Sequence, residues 1–327
     1  MDRLGTALCA RLGMRVPVVQ APIGSACTAE LVAAVAAAGG LGMLSVTWMR
    51  TAEIRESLRR IRALTSGPFG VNAVLAFAVE EKIELCLAAG VRVVSTFWGD
   101  PAPYVERIHG AGAVHLHTVS SAAEAVAAVE AGVDVVVAQG VEAGGHVRGG
   151  VPTMVLVPAV VDAVGDVPVI AAGGIADGRG LAAALVLGAQ GVWMGTRFLA
   201  AREAATHEVY RDRVIGAAET SAVRTLAFDG GWPDAPHRAL ENSTLRAWEA
   251  AGRPGSPDRP GEGDVVATGP DGTAYLRYGD MMPLPGMAGD LEAMALYAGC
   301  SAGLVHEVEP AAEIVARVVD EARGLLS

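Results

Sequence analysis

The sequence contains few of the residue types on which several protein classes depend. Aromatic residues make up 5% of its 327 residues and charged residues 19%, while 52% are hydrophobic, a balance that excludes an intrinsically disordered chain. The four cysteines, Cys9, Cys27, Cys86 and Cys300, are far apart, and no pair has the spacing of a metal site or a redox motif. We therefore expect reduced, mostly buried cysteines and no bound metal.

The charge balance argues against two kinds of partner. With 25 basic and 36 acidic residues, the formal net charge of −11 repels nucleic acid and anionic lipid. The N-terminal segment carries Asp2, Arg11 and Arg15 and lacks the apolar core of a secretory signal, so we expect a cytoplasmic protein. The uncharged stretch 31–49 is long enough to span a membrane, but Gly39-Gly40 divides it into an expected short helix and a buried strand.

Apolar, β-branched runs alternate with alanine-rich stretches through roughly the first two-thirds of the chain. Runs that are apolar on both faces are typical of parallel strands covered by helices. Eight strands are predicted, at 16–23, 41–46, 69–75, 91–97, 114–119, 133–139, 168–173 and 191–198. The intervening segments, such as 51–64 and 121–131, have helical composition. Eight such units favour an α/β fold of the (β/α)8 TIM barrel type over an open doubly wound sheet.

The alternation ends after the eighth predicted strand. Helices are predicted at 201–214 and 242–251, a loop rich in Gly, Pro and Asp at 252–273, and a closing helix pair at 290–298 and 310–326. We therefore expect a barrel domain (1–214), an appended C-terminal helical and irregular subdomain or lid (215–290), and helices that pack back on the barrel (291–327).

Carboxamide side chains are rare in this chain, yet they cluster at predicted strand ends. The sequence has two asparagines and three glutamines, and Gln20, Asn72 and Gln139 all fall in or at the end of predicted strands. Active sites of parallel barrels lie at the C-terminal ends of the strands. The three amides could bind a polar planar ligand there, or each could satisfy a nearby backbone group.

Two glycine-bearing turns follow the last two predicted strands. The segments AAGGIADG (171–178) and MGTR (194–197) lie where such barrels commonly bind phosphate, because glycine lets backbone N–H groups approach an anion. Asp177 is then expected to cap the next helix. For Arg197 we favour a structural ion pair over a phosphate contact.

A histidine lies in the glycine-rich loop after the sixth predicted strand. The loop QGVEAGGHVRGG (139–150) places His146 above the predicted barrel mouth, where an imidazole can accept, donate or relay a proton. From the residues alone, an ordinary solvated loop histidine explains it equally well. His115 and His117 alternate in a strand and could line the barrel interior, and without a partner at metal spacing we expect structural roles for both.

Six segments together resemble one known family. They are VVQAPI (18–23), AGGLGML (38–44), GPFGVN (67–72), QGVEAGGH (139–146), PVIAAGGIADGRG (168–180) and GVWMGTRFLA (191–200). Their order and content are similar to those of the nitronate monooxygenase family, also called 2-nitropropane dioxygenase-like, whose members are FMN-dependent TIM barrels. The resemblance extends weakly to YAGCSAGL (297–304), where the family often has Gly-Gln and this chain has Gly299-Cys300. A contribution of that late segment to the site is therefore not expected.

The resemblance implies FMN as cofactor and a role for each matching residue. Residues expected along or beside the flavin ring are Ala21, Pro22, Ile23, Gly144 and Gly145. Residues expected to hydrogen-bond FMN are Asn72 and Gln139. Residues expected to offer backbone N–H groups to its phosphate are Gly173, Gly174, Gly195 and Thr196. His146 matches the family's active-site histidine, which shifts its interpretation towards catalysis.

The resemblance implies oxidation of an alkyl nitronate by dioxygen, giving a carbonyl compound and nitrite. His146 would orient the nitro group, or deprotonate the substrate if a neutral nitroalkane is accepted. An NAD(P)H-dependent FMN enoyl-thioester or quinone reductase on the same barrel is the nearest alternative, and a flavin-free phosphosugar isomerase or lyase is a remote one. No Rossmann glycine motif is present. The partners expected are small molecules, and the oligomeric state stays open, a homo-oligomer included.

Overall fold

The first half and the centre of the protein form alternating strands and helices. The computed structural model describes residues 4–327. Its first nine strands are β1 (Val18–Gln20), β2 (Leu41–Ser45), β3 (Phe69–Val74), β4 (Val93–Phe97), β5 (Val114–Val119), β6 (Val135–Gln139), β7 (Gly145–His146), β8 (Val169–Ala172) and β9 (Gly191–Met194). The helices up to that point are α1 (Ala7–Leu12), α2 (Ala29–Ala38), α3 (Thr51–Leu64), α4 (Glu80–Ala88), α5 (Ala102–Gly110), α6 (Ala122–Glu130), α7 (Thr153–Val164) and α8 (Gly178–Val186).

Eight of these strands close into a parallel barrel, which confirms the predicted (β/α)8 TIM barrel. The pairing order is β1-β2-β3-β4-β5-β6-β8-β9, and β9 pairs with β1 to complete the ring. Inward-pointing apolar side chains such as Met43, Leu116 and Ile170 fill its interior. Apolar residues on the other face of each strand pack under the helices. Each strand is thus apolar on both faces, as a covered parallel sheet requires.

The helices begin and end at residues that satisfy their terminal backbone groups. The Thr28 hydroxyl accepts a hydrogen bond from Leu31 N at the start of α2, and Gly39 ends that helix with φ of 100°. Only glycine adopts such a conformation without strain. The turn at Gly39 separates α2 from β2, which confirms that the apolar stretch 31–49 is a helix followed by a strand. Within residues 4–327, we find no helix that is both long and apolar enough to cross a membrane.

The chain after β9 forms shorter elements around the barrel mouth. They are α9 (Thr196–Leu199), α10 (Glu208–Ile215), β10 (Ala222–Thr225), β11 (His237–Leu240), α11 (Ser243–Ala250), β12 (Val265–Thr268), β13 (Ala274–Leu276), β14 (Ala288–Gly289) and α12 (Ala311–Leu326), with single 3-10 turns at Leu291–Ala293 and Cys300–Leu304. Strand β11 joins β10 to β7, and β12 pairs with β13 and β14. Helix α12 contacts α8 and α2, so the chain end returns to the barrel wall. The division into three domains stays a prediction.

Three predicted elements outside the barrel are wrong in part. The predicted helix 290–298 is a single 3-10 turn followed by extended chain, in which Tyr297 bridges Ala239 and Leu296 accepts a hydrogen bond from Leu240 N. Residues 293–298 are buried, and a helix there would bury one face only, so tertiary packing overrides helix propensity. The helix predicted at 201–214 begins at Glu208, and the loop predicted at 252–273 contains β12.

The eighth predicted strand is also too long. Its last four residues leave the sheet at Gly195 and form α9, because the chain turns at the barrel rim. The other barrel strands agree with the predicted runs within two or three residues at each end. All four cysteines are free; Cys9 and Cys86 are buried, whereas Cys27 and Cys300 are partly exposed.

Candidate active site

One cavity opens at the C-terminal ends of the barrel strands and brings together all twelve predicted site residues. They are Ala21, Pro22, Ile23, Asn72, Gln139, Gly144, Gly145, His146, Gly173, Gly174, Gly195 and Thr196. The cavity encloses about 1440 Å³ of empty space including its open mouth. Its position at the strand ends makes it the candidate site for a small-molecule ligand.

The glycine turns after β8 and β9 present unused backbone donors to this cavity. Gly173 and Gly174 have φ values of 102° and 74°, a conformation that L side chains rarely adopt. Among the hydrogen bonds of residues 4–327, none uses the backbone N–H of Gly173, Gly174, Gly195 or Thr196 as donor. Four N–H groups that face a cavity without an acceptor form a typical anion-binding arrangement.

Side chains near these turns have structural roles, as the sequence predicts. Asp177 accepts hydrogen bonds from the N–H groups of Arg179 and Gly180 and so caps α8. Arg197 is buried outside the cavity, where its guanidinium pairs with Glu309. Burial lowers the pKa of Arg197 to about 10, but the side chain stays charged near neutral pH. The arginine is a structural ion-pair partner and not a phosphate contact.

The three rim amides divide into two groups. Asn72 and Gln139 line the cavity, and the Gln139 side chain donates to the carbonyl oxygen of His146 at 3.3 Å. The Gln139 Oε1 atom is buried without a hydrogen-bond partner. Gln20 lies outside the cavity, because its amide is used by the backbone of Ala21 and Met43. For Gln20 the alternative of a satisfied backbone group is therefore the correct one.

The loop that carries His146 is held in place from both sides. Its short strand β7 pairs with β11, so that His237 lies opposite His146. The Arg238 guanidinium donates to the carbonyl oxygen of Val141 from Nε at 3.1 Å and from Nη2 at 2.9 Å. The glycine-rich loop is thus fixed by strand pairing and by the arginine.

His146 faces the cavity as a neutral imidazole. Burial, with a smaller contribution from His237, lowers the pKa of His146 to about 3. The His146 Nε2 atom is buried and has no hydrogen-bond partner in the protein. An unused polar atom at this depth costs free energy unless a ligand completes it. A neutral imidazole can accept a proton or a hydrogen bond at one nitrogen and donate at the other.

Aromatic side chains surround His146. The Trp232 ring stacks on the imidazole with centroids 4.2 Å apart, and Trp98 and Tyr297 lie at 6.0 and 5.7 Å. The Tyr297 hydroxyl is buried without a partner, and burial raises its pKa well above the ordinary value. Two polar atoms among these rings, His146 Nε2 and the Tyr297 hydroxyl oxygen, are therefore buried and unpaired.

Several lining residues were not found from the sequence. They include Trp48, Trp232, Asp280, Tyr297 and Ser301, all outside the quoted glycine and amide segments except for the weakly similar stretch 297–304. That stretch does contribute, contrary to expectation: Cys300 N donates to Glu142 O at 3.0 Å, which places Tyr297 and Ser301 at the cavity. Tryptophan is rare in this chain, and three of its five tryptophans line this cavity. The rarity of tryptophan was the one signal available in the sequence.

His115 and His117 lie on the outer face of β5. Between them, Leu116 points into the barrel interior, so the two imidazoles face the helix layer instead of the interior considered from the sequence. The Thr96 hydroxyl contacts both rings, at 2.8 Å from His115 Nε2 and 2.7 Å from His117 Nδ1. Burial lowers the pKa of His115 to about 3 and that of His117 to about 4. These are neutral buried side chains with a packing role.

The fold is a (β/α)8 barrel, and its cavity is lined by two glycine turns and a neutral imidazole. The family model described as nitronate monooxygenase matches residues 6–80 and 73–321. The chain therefore belongs to the nitronate monooxygenase family and is an oxidoreductase. This assignment removes the flavin-free isomerase or lyase from the expected functions.

Named relatives fall into two functional groups. The (3aS,4S,5R,7aS)-5-hydroxy-7a-methyl-1-oxo-octahydro-1H-indene-4-carboxyl-CoA dehydrogenase of Mycobacterium tuberculosis is 40% identical over 255 residues, 77% of this chain and 70% of the relative. A probable nitronate monooxygenase of Staphylococcus aureus strain JH9 is 36% identical over 266 residues, 67% of this chain and 74% of the relative.

Two solved structures resemble this chain over nearly its whole length. FabK from Thermotoga maritima superimposes with a TM-score of 0.81 at 31% identity, covering 98% of this chain and 97% of that one. A nitroalkane oxidase from Streptomyces ansochromogenes gives 0.79 at 31% identity, covering 98% and 100%. The whole chain thus has the architecture of both proteins.

Proposed function

We propose that the protein is an FMN-dependent oxidoreductase whose substrate is an acyl thioester of coenzyme A. The observation that carries the cofactor assignment is the set of unused polar groups in one cavity. Gln139 Oε1 and His146 Nε2 lack partners there, and four glycine-turn N–H groups lack acceptors. A planar polar ring joined to a phosphate matches such a set, because each end finds complementary donors and acceptors.

The residues that would hold FMN occupy two parts of the rim. The N–H groups of Gly173, Gly174, Gly195 and Thr196 would bind its phosphate. The segment Ala21-Pro22-Ile23 and the glycines Gly144 and Gly145 would border its ring, with Asn72 and Gln139 at the ring's polar edge. When bound, FMN would carry two electrons between the substrate and NAD(P)⁺ or NAD(P)H.

His146 would handle the proton of the reaction. Its Nε2 atom is unpaired in the cavity, and its low pKa keeps it neutral before the substrate binds. In the oxidation of an acyl thioester, a proton leaves the carbon next to the carbonyl group while a hydride leaves the neighbouring carbon. His146 would accept that proton, or return it in the reverse direction, and Trp232 would hold the imidazole in place by stacking.

Two observations favour a thioester substrate. The Mycobacterium tuberculosis relative at 40% identity and a Rhodococcus jostii relative at 38% are both named as dehydrogenases of a carboxyl-CoA compound. In addition, no arginine or lysine of the described chain lines the cavity, so nothing there neutralises an anionic substrate. A thioester is uncharged at its reacting end and needs no such cation.

Nitronate oxidation is the second candidate. It is favoured by the family description and by the Staphylococcus aureus relatives named as probable nitronate monooxygenases. A nitronate would meet the neutral His146 and the aromatic wall, and dioxygen would be the electron acceptor. The choice between the two candidates depends on the electron donor and acceptor, which can be tested directly.

The deciding experiment uses the purified protein without added cofactor. A visible spectrum of oxidised flavin that moves to the filtrate on denaturation, and matches FMN on chromatography, supports the cofactor. Anaerobic mixing then compares NADH, NADPH and ethyl nitronate as reductants. We expect rapid bleaching by a nicotinamide and slow or no bleaching by the nitronate. A colourless protein that FMN cannot reconstitute contradicts the cofactor assignment, and bleaching by nitronate alone favours the second candidate.

A further inference from the structure

Asp280 has a special position among the residues that line the cavity. Among the lining residues of the described part of the chain, it is the one Asp, Glu, Lys or Arg. It belongs to the segment after β13 and therefore to the part of the chain that closes the mouth. None of the proposed cofactor contacts involves it.

The chain makes specific room for the Asp280 carboxyl group. A Cβ atom added to Gly231 would lie 2.7 Å from the carboxyl carbon and 2.8 Å from Oδ1 of Asp280. Real Cβ atoms do not approach other atoms so closely, so a larger residue at position 231 would require the Asp280 carboxyl group to move. The neighbouring Gly230 N donates to Tyr278 O at 3.1 Å, which fixes the two segments against each other.

Because the Asp280 carboxyl group lies against Gly231, it is close to the residues that surround His146. Trp232, which stacks on His146, follows Gly231 directly in the chain. The charge of Asp280 also contributes to the raised pKa of Tyr297, so the carboxylate and the unpaired Tyr297 hydroxyl interact electrostatically. His146, Tyr297 and Asp280 thus border the same space.

The carboxylate has no cation to balance it. In the described chain, Asp280 takes part in no ion pair and in no hydrogen bond with another side chain. Other carboxylates there form 19 contacts of 4.0 Å or less, 18 with arginine and one with His109. Burial raises the pKa of Asp280, as expected for a carboxyl group that loses water without gaining a partner. A second negative charge beside it would be strongly unfavourable in this setting.

We propose that Asp280 determines the charge of the substrate: its carboxylate keeps anions, a nitronate included, out of the pocket and admits compounds that are uncharged at the reacting end. This inference rests on the proposed function and narrows it to neutral acyl groups or un-ionised nitroalkanes. The carboxylate repels a negatively charged ligand, so the selectivity comes from weaker binding of the wrong ligand.

The test compares two small probes that differ by one proton. Ethyl nitronate and nitroethane are titrated into the wild-type protein, Asp280→Asn and the control Asp234→Asn, and their Kd values are measured by calorimetry at about pH 8, about four pH units above the ordinary pKa of an aspartate. Asp234 is exposed in the neighbouring loop, outside the cavity, so its replacement removes the same charge without touching the site.

We expect the ratio of the nitronate Kd to the nitroethane Kd to fall at least tenfold in Asp280→Asn and to stay unchanged in Asp234→Asn. A ratio within threefold of wild type in Asp280→Asn overturns the proposal, and so does an equal fall in Asp234→Asn. If Asp280→Asn does not fold, Asp280→Ser is measured against the same limits. The flavin content of each preparation is measured separately. Loss of FMN would contradict the proposed function, whereas the ratio of the two Kd values would still test the role of the Asp280 charge.

Discussion

The two sides of the cavity are formed by different parts of the chain and differ in residue type. The barrel side includes exposed backbone at small residues, such as the glycine turns after β8 and β9. The opposite side consists of large or charged side chains, Trp232, Asp280 and Tyr297, from the chain after β9. The barrel side offers N–H groups that suit a cofactor, whereas the later segment offers side chains that discriminate between substrates. Changes on the two sides should therefore affect different measurements.

The largest effect is expected where the two sides meet. His146→Ala should keep its FMN but lose turnover by roughly 10²- to 10⁴-fold, the usual contribution of a positioned acid or base. Steady-state rates together with the flavin-to-protein absorbance ratio check this. The exposed His306, changed to Ala, serves as the control. Wild-type turnover in His146→Ala would remove the imidazole from the mechanism.

A change confined to the barrel side should act on the cofactor. Gly174→Val places a branched side chain at φ of 74° beside the free N–H groups, where left-handed backbone costs about 1–2 kcal/mol for ordinary residues. We expect FMN affinity to fall at least tenfold, measured as flavin retained after dialysis. Gly150→Val is the control, because a Cβ there meets open space. Equal FMN retention in the two variants would argue against a phosphate at this turn.

A change on the later segment should act on turnover without loss of FMN. Arg238→Met removes both hydrogen bonds to Val141 O and loosens the loop that carries His146. We expect kcat to fall on the order of tenfold to a hundredfold through misplacement of the imidazole, with partial rescue in Arg238→Lys. Arg246→Met, which removes an exposed arginine from the same segment, is the control. Reduced FMN binding with normal kcat would mean that the two sides are not separable.

The smallest effect concerns the outer wall of the barrel and is a pH dependence of stability. His115 and His117 have folded-state pKa values of about 3 and about 4, below the ordinary 6.5, so the unfolded chain binds protons first as the pH falls. Stability should be complete above about pH 6.5 and decrease towards pH 4, by about 1.4 kcal/mol per histidine between neutral pH and pH 5.5. Urea unfolding of wild type and His117→Gln measures the difference. The same loss in both proteins would exclude His117 as a source.

The sequence predicted the barrel side far better than the other. Its strands are continuous apolar runs, its turns are glycine pairs, and His146 follows directly in one of those turns, so local pattern was sufficient. Asp280 and Trp232 come from segments without periodicity, and their approach to His146 depends on pairing between β7 and β11, which no local signal shows. The role of Gln20 stayed open because a buried amide that serves the backbone looks the same in sequence as one that serves a ligand. The helix expected at 290–298 failed because burial on all sides decides its conformation.

The pairing of β7 with β11 also has a consequence for the order in which the protein becomes active. Arg238 is separated by 97 residues from Val141, the loop residue that it holds. During synthesis, the barrel strands are complete well before the ribosome has made this arginine. The loop around His146 therefore acquires its final geometry after the strands have been made, and a polypeptide that stops after α9 would have all eight barrel strands but an unfinished catalytic centre.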